Sequence, residues 1–280
     1  MKRLCSQTDN ERETFRRSET SDYRVGAEES NRRAGEESLF YICAAIFVVL
    51  LSVIGFGPSI IDQSRRNAPS TLLVMAHGMA VGGWLLLFLT QAILVATGRI
   101  AIHRRLGIVG PVIAVLMILL GYVVLIDFGR RGYDFSGDVI RALSRTGSQR
   151  FNPAVILFPL GELLSFGILV GAGLWYRHRA DVHKRLMLLA MVPILAEPIL
   201  HLVGHVAGRW PTLRGMGTPI SVSATLILLS ASAIHDRLSR RRIHPVSLWV
   251  PILLFVWQIA LGAIIFPSAA WRKFVAWLVL

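Results

Sequence analysis

Cysteine is almost missing: the 280-residue chain holds two. Cys5 lies in a polar leading stretch and Cys43 in the first apolar run, which excludes a disulfide framework, a thiolate zinc site and a C-x-x-C-H motif for covalent haem. Acidic residues are also scarce, 17 against 30 Lys and Arg, for a formal net charge of +13. An excess of that size can mark a nucleic-acid surface, so its position decides what it means. Residues 1–38 carry eight basic and nine acidic residues, so the excess falls among the apolar runs and the links between them. There it serves as an orientation signal for membrane insertion, and no nucleic-acid partner is expected.

What the chain has instead is hydrocarbon. Hydrophobic residues make up 54% and charged residues 17%, more apolar surface than a soluble domain of this length buries, and the composition predicts a multi-pass membrane protein. Residues 1–38 differ: they are polar, of mixed charge and almost without aliphatic side chains, a composition that predicts disorder. No apolar core follows the Met1-Lys2-Arg3 start at signal-peptide distance, so the run from Leu39 is expected to be an uncleaved anchor.

Measured against the roughly 20 residues a helix needs to cross hydrocarbon, seven runs qualify: about 39 to 60, 71 to 97, 106 to 126, 153 to 176, 185 to 206, 218 to 235 and 246 to 266. Pro193, Pro198 and Pro219 interrupt or bound the fifth and sixth, so seven spans are expected with six as the alternative. The fold class is therefore an all-α polytopic transmembrane helix bundle, with a disordered cytoplasmic tail (1–38), the bundle (39–266) and a short interfacial segment (267–280). With the N-terminus inside, alternate segments hold 19 Lys and Arg inside against 11 outside, which favours a cytoplasmic N-terminus. In the last segment Trp271, Phe274, Val275 and Leu278 repeat at helical spacing opposite Arg272 and Lys273, the pattern of a helix lying in the membrane interface. Gly78-x-x-x-Gly82 and Gly167-x-x-x-Gly171 are candidate close-packing sites between helices.

Ionisable residues inside spans are rare and usually functional. On this topology His77, Glu162, Glu197, His201 and His205 fall at similar depth in the outer half, and the last three share one helical stripe. At the inner surface His103 and His183 each open a tetrapeptide of one pattern, HRRL and HKRL, which suggests a duplicated two-helix unit. His178, His235 and His244 fall in loops or at boundaries with no evident partner.

The stretches MAHGMAVGGWLLLFLTQAILVATGRIAIHRRLGIVGPVIAVLMILLG and HKRLMLLAMVPILAEPILH carry a histidine early in one helix, a Q-x-x-L-V helix end, an HRRLG start and an HKRLM start. Over residues 71 to 205 this resembles a family of uncharacterised bacterial multi-pass membrane proteins, which implies a bacterial inner (cytoplasmic) membrane location and little about activity. More distantly, histidines paired near both faces are similar to di-haem b-type cytochromes and haem A synthase. That resemblance implies haem b held by His77 with His201 or His205 and by His103 with His183, with Arg104, Arg105, Lys184 and Arg185 meeting propionates or anionic lipid head groups. Transmembrane electron transfer would follow. Two alternatives stand beside it. His77, His201 and His205 could hold a catalytic zinc with Glu162 or Glu197 as base, similar to the seven-span intramembrane hydrolases related to ceramidases and adiponectin receptors, although that family's His-x-x-x-His sits on its last span. Alternatively the polar groups satisfy one another in a membrane scaffold, or in a small-molecule or proton transporter. The residues select neither an enzymatic nor a non-enzymatic role, nor an oligomeric state.

Overall fold

The computed structural model describes residues 35–58, 60–62, 70–131, 154–209 and 217–279. Most of the leading polar stretch and of the long 127 to 152 link, including the expected disordered tail up to residue 34, lies outside the described residues. Among the described residues every regular element is a helix. Apolar backbone away from water must satisfy its N–H and C=O groups within the segment, and a helix does this without neighbours.

Among the described residues seven long helical stretches lead into a short C-terminal helix. They are α1 (Gly35–Pro58), α2 (Leu72–Ala96), α3 (Ile100–Leu106) continuing into α4 (Val109–Arg131), and α5 (Ala154–Trp175). The fifth is α6 (Ala180–Leu189), broken by a 3₁₀ turn at Pro193–Leu195 before α7 (Ala196–Arg209). Then come α8 (Gly217–Arg240) and α9 (Pro245–Ala260), the latter ending in a π turn at Leu261–Ile265, and the short α10 (Ala269–Val279). Six of these passes, all but α8, are long and apolar enough to cross a membrane. Their outward faces carry large apolar side chains in rows, such as Leu50, Val53 and Ile54 on α1 and Val112, Val115 and Leu119 on α4. Contiguous exposed surface of that kind suits hydrocarbon and not water.

The described part of the first helix runs from Gly35, four residues before the apolar run, and Glu37 has cationic partners on α6 and α8. The link between α2 and α3 is a glycine-dependent helix stop. Gly98 has φ +72, its N–H reaches Val95 O, and the Arg99 N–H reaches Leu94 O at 2.8 Å.

Glycine also governs helix packing, but of the expected positions only Gly167 meets a neighbour, Ile118 at 3.1 Å. A Cβ on Gly78, Gly82 or Gly171 would meet nothing within 4 Å, so the Gly78-x-x-x-Gly82 pair is not a seam within this chain. The working seam lies on α3 and α4. His77, Trp84 and Gln91, seven residues apart along α2, lie over Gly121, Gly110 and Gly107, at 3.0, 3.9 and 3.6 Å from where each missing Cβ would stand. Trp84, buried at the centre of this stripe, turns its edge to Phe166 of α5, with ring centres 5.2 Å apart. Around them Met117, Leu189, Met191 and Leu195 complete the main core.

The C-terminal helix α10 lays part of the expected stripe on the bundle. Trp271, Val275 and Leu278 are buried, the first two against Leu125, Ile156, Leu157 and Leu261. Phe274 and Trp277 are left on the outer side. Packing against the bundle removes more apolar surface from water than one side of a free interfacial helix would.

At Gly55 of α1 the close neighbour is backbone, since a Cβ there would overlap the carbonyl of Pro198 in α7. Gly55→Ala should therefore lower stability by about 1–3 kcal/mol, whereas Gly78→Ala should leave it unchanged. Thermal unfolding of the two variants in detergent, followed by size-exclusion chromatography, distinguishes them.

Candidate functional site

Polar groups gather at both ends of the bundle. At the end where α1, α6 and α9 begin, His103 of α3 and His183 of α6 face each other, their ring centres 6.4 Å apart and their planes 84° apart. These are the first residues of the two related tetrapeptides, so the duplicated helix starts meet in space. The carbonyl of Gly173, in the last turn of α5, comes within 2.7 Å of His183 Nδ1. A carbonyl can only accept, so Nδ1 is the donor and carries a proton. On the other side Gln91 donates to the His103 carbonyl at 3.2 Å, tying α2 to α3. The His103 Nδ1 is buried with no hydrogen-bond partner among the described residues.

Beside this pair lies a charge network that sequence reasoning missed. Arg185, completely buried, places two nitrogens on the Asp236 carboxylate, with Nε 3.1 Å from Oδ2 and Nη2 on Oδ1. Its third nitrogen donates to Asp181 O at 2.7 Å, and Asp236 also accepts the backbone N–H of His244 at 3.2 Å. Glu37 of α1 receives Lys184 at 2.6 Å and Arg240 at 2.9 Å, and His244 Nε2 lies 3.2 Å from an Asp181 oxygen. His235 stacks on Phe40, ring centres 3.9 Å apart. The sequence signal was available but thin: Asp236 is one acid set among basic residues at a helix end, where orientation charges are the ordinary reading.

These contacts correct one expectation. Lys184 and Arg185 were expected beside propionates or lipid head groups, but protein carboxylates engage both, and Arg185 has no exposed surface. A buried guanidinium needs a fixed anion, and Asp236 supplies it at lower cost than a mobile ligand would. Arg104 and Arg105 remain exposed next to His103.

At the opposite end stand Glu162 of α5 and Glu197 in the first turn of α7, and α5 packs against the 3₁₀ turn that leads into Glu197. His201 packs on Phe56 of α1, ring centres 4.8 Å apart, and lies 6.4 Å from His205. His77 rests on Gly121 and Leu163. Among the described residues no three His, Cys, Asp or Glu side chains come together to hold a metal ion, so the set His77, His201 and His205 is not assembled as a three-ligand centre.

Compared with protein-family models, with curated proteins and with solved structures, the chain matches none.

Removing Asp236 alone would strand the buried Arg185 charge. Asp236→Leu and Arg185→Met should each cost about 3–5 kcal/mol, and the double variant should cost less than either. A double-mutant cycle on thermal stability in detergent reads this directly. Costs that simply add would show that the two side chains do not act as a pair.

Proposed function

We propose that this chain is a multi-pass membrane protein that binds haem b between His103 and His183 and passes electrons within the bilayer. One observation carries the reading: two imidazoles from different helices face each other at 6.4 Å between ring centres, one of them with its orientation and tautomer set by a backbone carbonyl. Two imidazoles bound to one metal through nitrogens at about 2 Å would hold their ring centres about 6 Å apart. The bond from His183 Nδ1 to Gly173 O is the kind of outer contact that metal-ligating histidines make, since it fixes the ring and raises the basicity of the other nitrogen.

Haem would supply a one-electron change that no side chain here provides. The chain's own contributions are concrete. His103 and His183 offer nitrogen donors from α3 and α6, and the Gly173 carbonyl keeps the His183 ring from turning. The exposed Arg104 and Arg105 stand where carboxylates at the membrane surface could reach them. Arg185 and Lys184 are not needed for that role, being held by Asp236 and Glu37.

We place the histidine pair on the cytoplasmic side and count α8 as a seventh span. The Lys and Arg bias between alternate links supports the orientation. Supporting the count, α8 has 24 residues, packs against α7 and α9, and brings Asp236 at one end to Arg185. The resemblance over residues 71 to 205 supports a bacterial inner membrane.

The test is the reduced-minus-oxidised absorption spectrum of the full chain, purified in detergent from haem-sufficient cells. Sharp Soret and α bands are expected, with haem retention falling roughly tenfold or more in His103→Ala and in His183→Ala. A flat spectrum from folded protein would overturn the reading.

A further inference from the structure

The fifth pass is broken inside the membrane. Between α6 and α7 the chain runs through a turn and the 3₁₀ segment Pro193–Leu195, and α7 restarts at Ala196 with Glu197 in its first turn. Pro198 follows, and having no N–H it leaves the Ile194 carbonyl without its helical donor. On the facing helix α5, Pro159 lies inside the helix, one turn before Glu162. Each carboxyl thus sits beside a proline in its own helix, and α5 packs against the 3₁₀ turn that leads into Glu197. Irregular backbone at membrane depth survives where it lines a cavity or a site, and broken membrane helices are a recurring way to place ionisable groups against a carried ion.

Histidines extend the cluster along α7. His201 and His205 follow Glu197 at one-turn intervals on the same stripe, ring centres 6.4 Å apart, and the His205 Nε2 is buried with no hydrogen-bond partner among the described residues. Glu197 is 14 residues beyond His183, roughly 21 Å of helix rise, so this cluster is separate from the facing imidazoles at the other end. The ligand is narrowed by what surrounds it. No three potential metal ligands converge among the described residues. Neither α8 from Ser223 to Ile234 nor α9 from Val246 to Ile259 brings a titratable side chain to the cluster. His77 approaches from α2 against Leu163, and Asp127 pairs with Arg131 at 2.7 Å at the end of α4.

We infer that Glu162, Glu197, His201 and His205 form a proton-exchanging site inside the bundle, at the end opposite His103 and His183. Two carboxyls and two imidazoles gathered at one end of the bundle can take a proton from one face and hold it in a setting where water is scarce. The site stands independently of haem.

Infrared difference spectroscopy tests it. The full chain is reconstituted in liposomes, and the carboxylic C=O stretch is recorded on stepping the pH, in H₂O and in D₂O. The expected result is a deuterium-sensitive carboxyl band that at least halves in Glu162→Gln and in Glu197→Gln and persists in Asp127→Asn. Because either Gln variant could fail to fold, Glu162→Asp and Glu197→Asp are recorded as well, and each should keep the band but shift it. Absence of the band in the native chain, or an unchanged band in the folded variants, would overturn the inference. Haem content measured on the same samples keeps this outcome separate from that of the histidine pair.

Discussion

Hydrocarbon cannot solvate a polar group, and nearly every feature of this chain answers that constraint. It makes helix the regular structure of the described residues, and it requires each ionisable side chain to find its partner within the protein. The Arg185–Asp236 pair is the clearest answer. Two nitrogens on one carboxylate, with a carbonyl taking the third, leave that guanidinium nothing further to satisfy. In doing so the pair joins α6 to α8 and, through the His244 N–H, to the start of α9. Three of the passes are thereby aligned at one end by a single carboxylate.

That alignment bears on His183. It lies between Asp181 and Arg185 on α6, both committed to the α8–α9 side, so the helix presents its histidine the other way, toward His103. The glycine seam positions the partner ring. With Gly107 under Gln91 and Gly110 under Trp84, α3 can approach α2 closely enough for Gln91 to hold the His103 carbonyl. Packing at one face and ion pairing at the other thus place two imidazoles within a metal's reach, and neither contact contains a histidine side chain.

The related helix starts show how similar sequences meet the same need by different means. At the end of α2 a left-handed glycine lets the backbone cap its own carbonyls. At the end of α5 the corresponding link has no glycine, and the His183 ring takes the Gly173 carbonyl instead. A side chain that caps a helix is thereby held in one orientation by a local backbone contact.

Much of the architecture was legible without coordinates. Apolar runs of membrane length, a basic bias on alternate links and the HRRL and HKRL starts are patterns along the chain, and they determined the helical class and the membrane-spanning character. Four matters needed the tertiary structure. Which glycines pack depends on the neighbour present, so Gly78 and Gly82 kept the right spacing with nothing opposite, while Gly55 met Pro198 without any motif. Asp236, 51 residues from Arg185, carried no local mark of its partner. The aromatic stripe of α10 turned toward the bundle because an apolar surface lay there to receive it. His103 and His183 could be matched by pattern, yet their facing geometry is a property of four helices packed together. Periodicity is local and can be read from one segment, whereas pairing is a relation between two surfaces, and a chain specifies it only once it has folded.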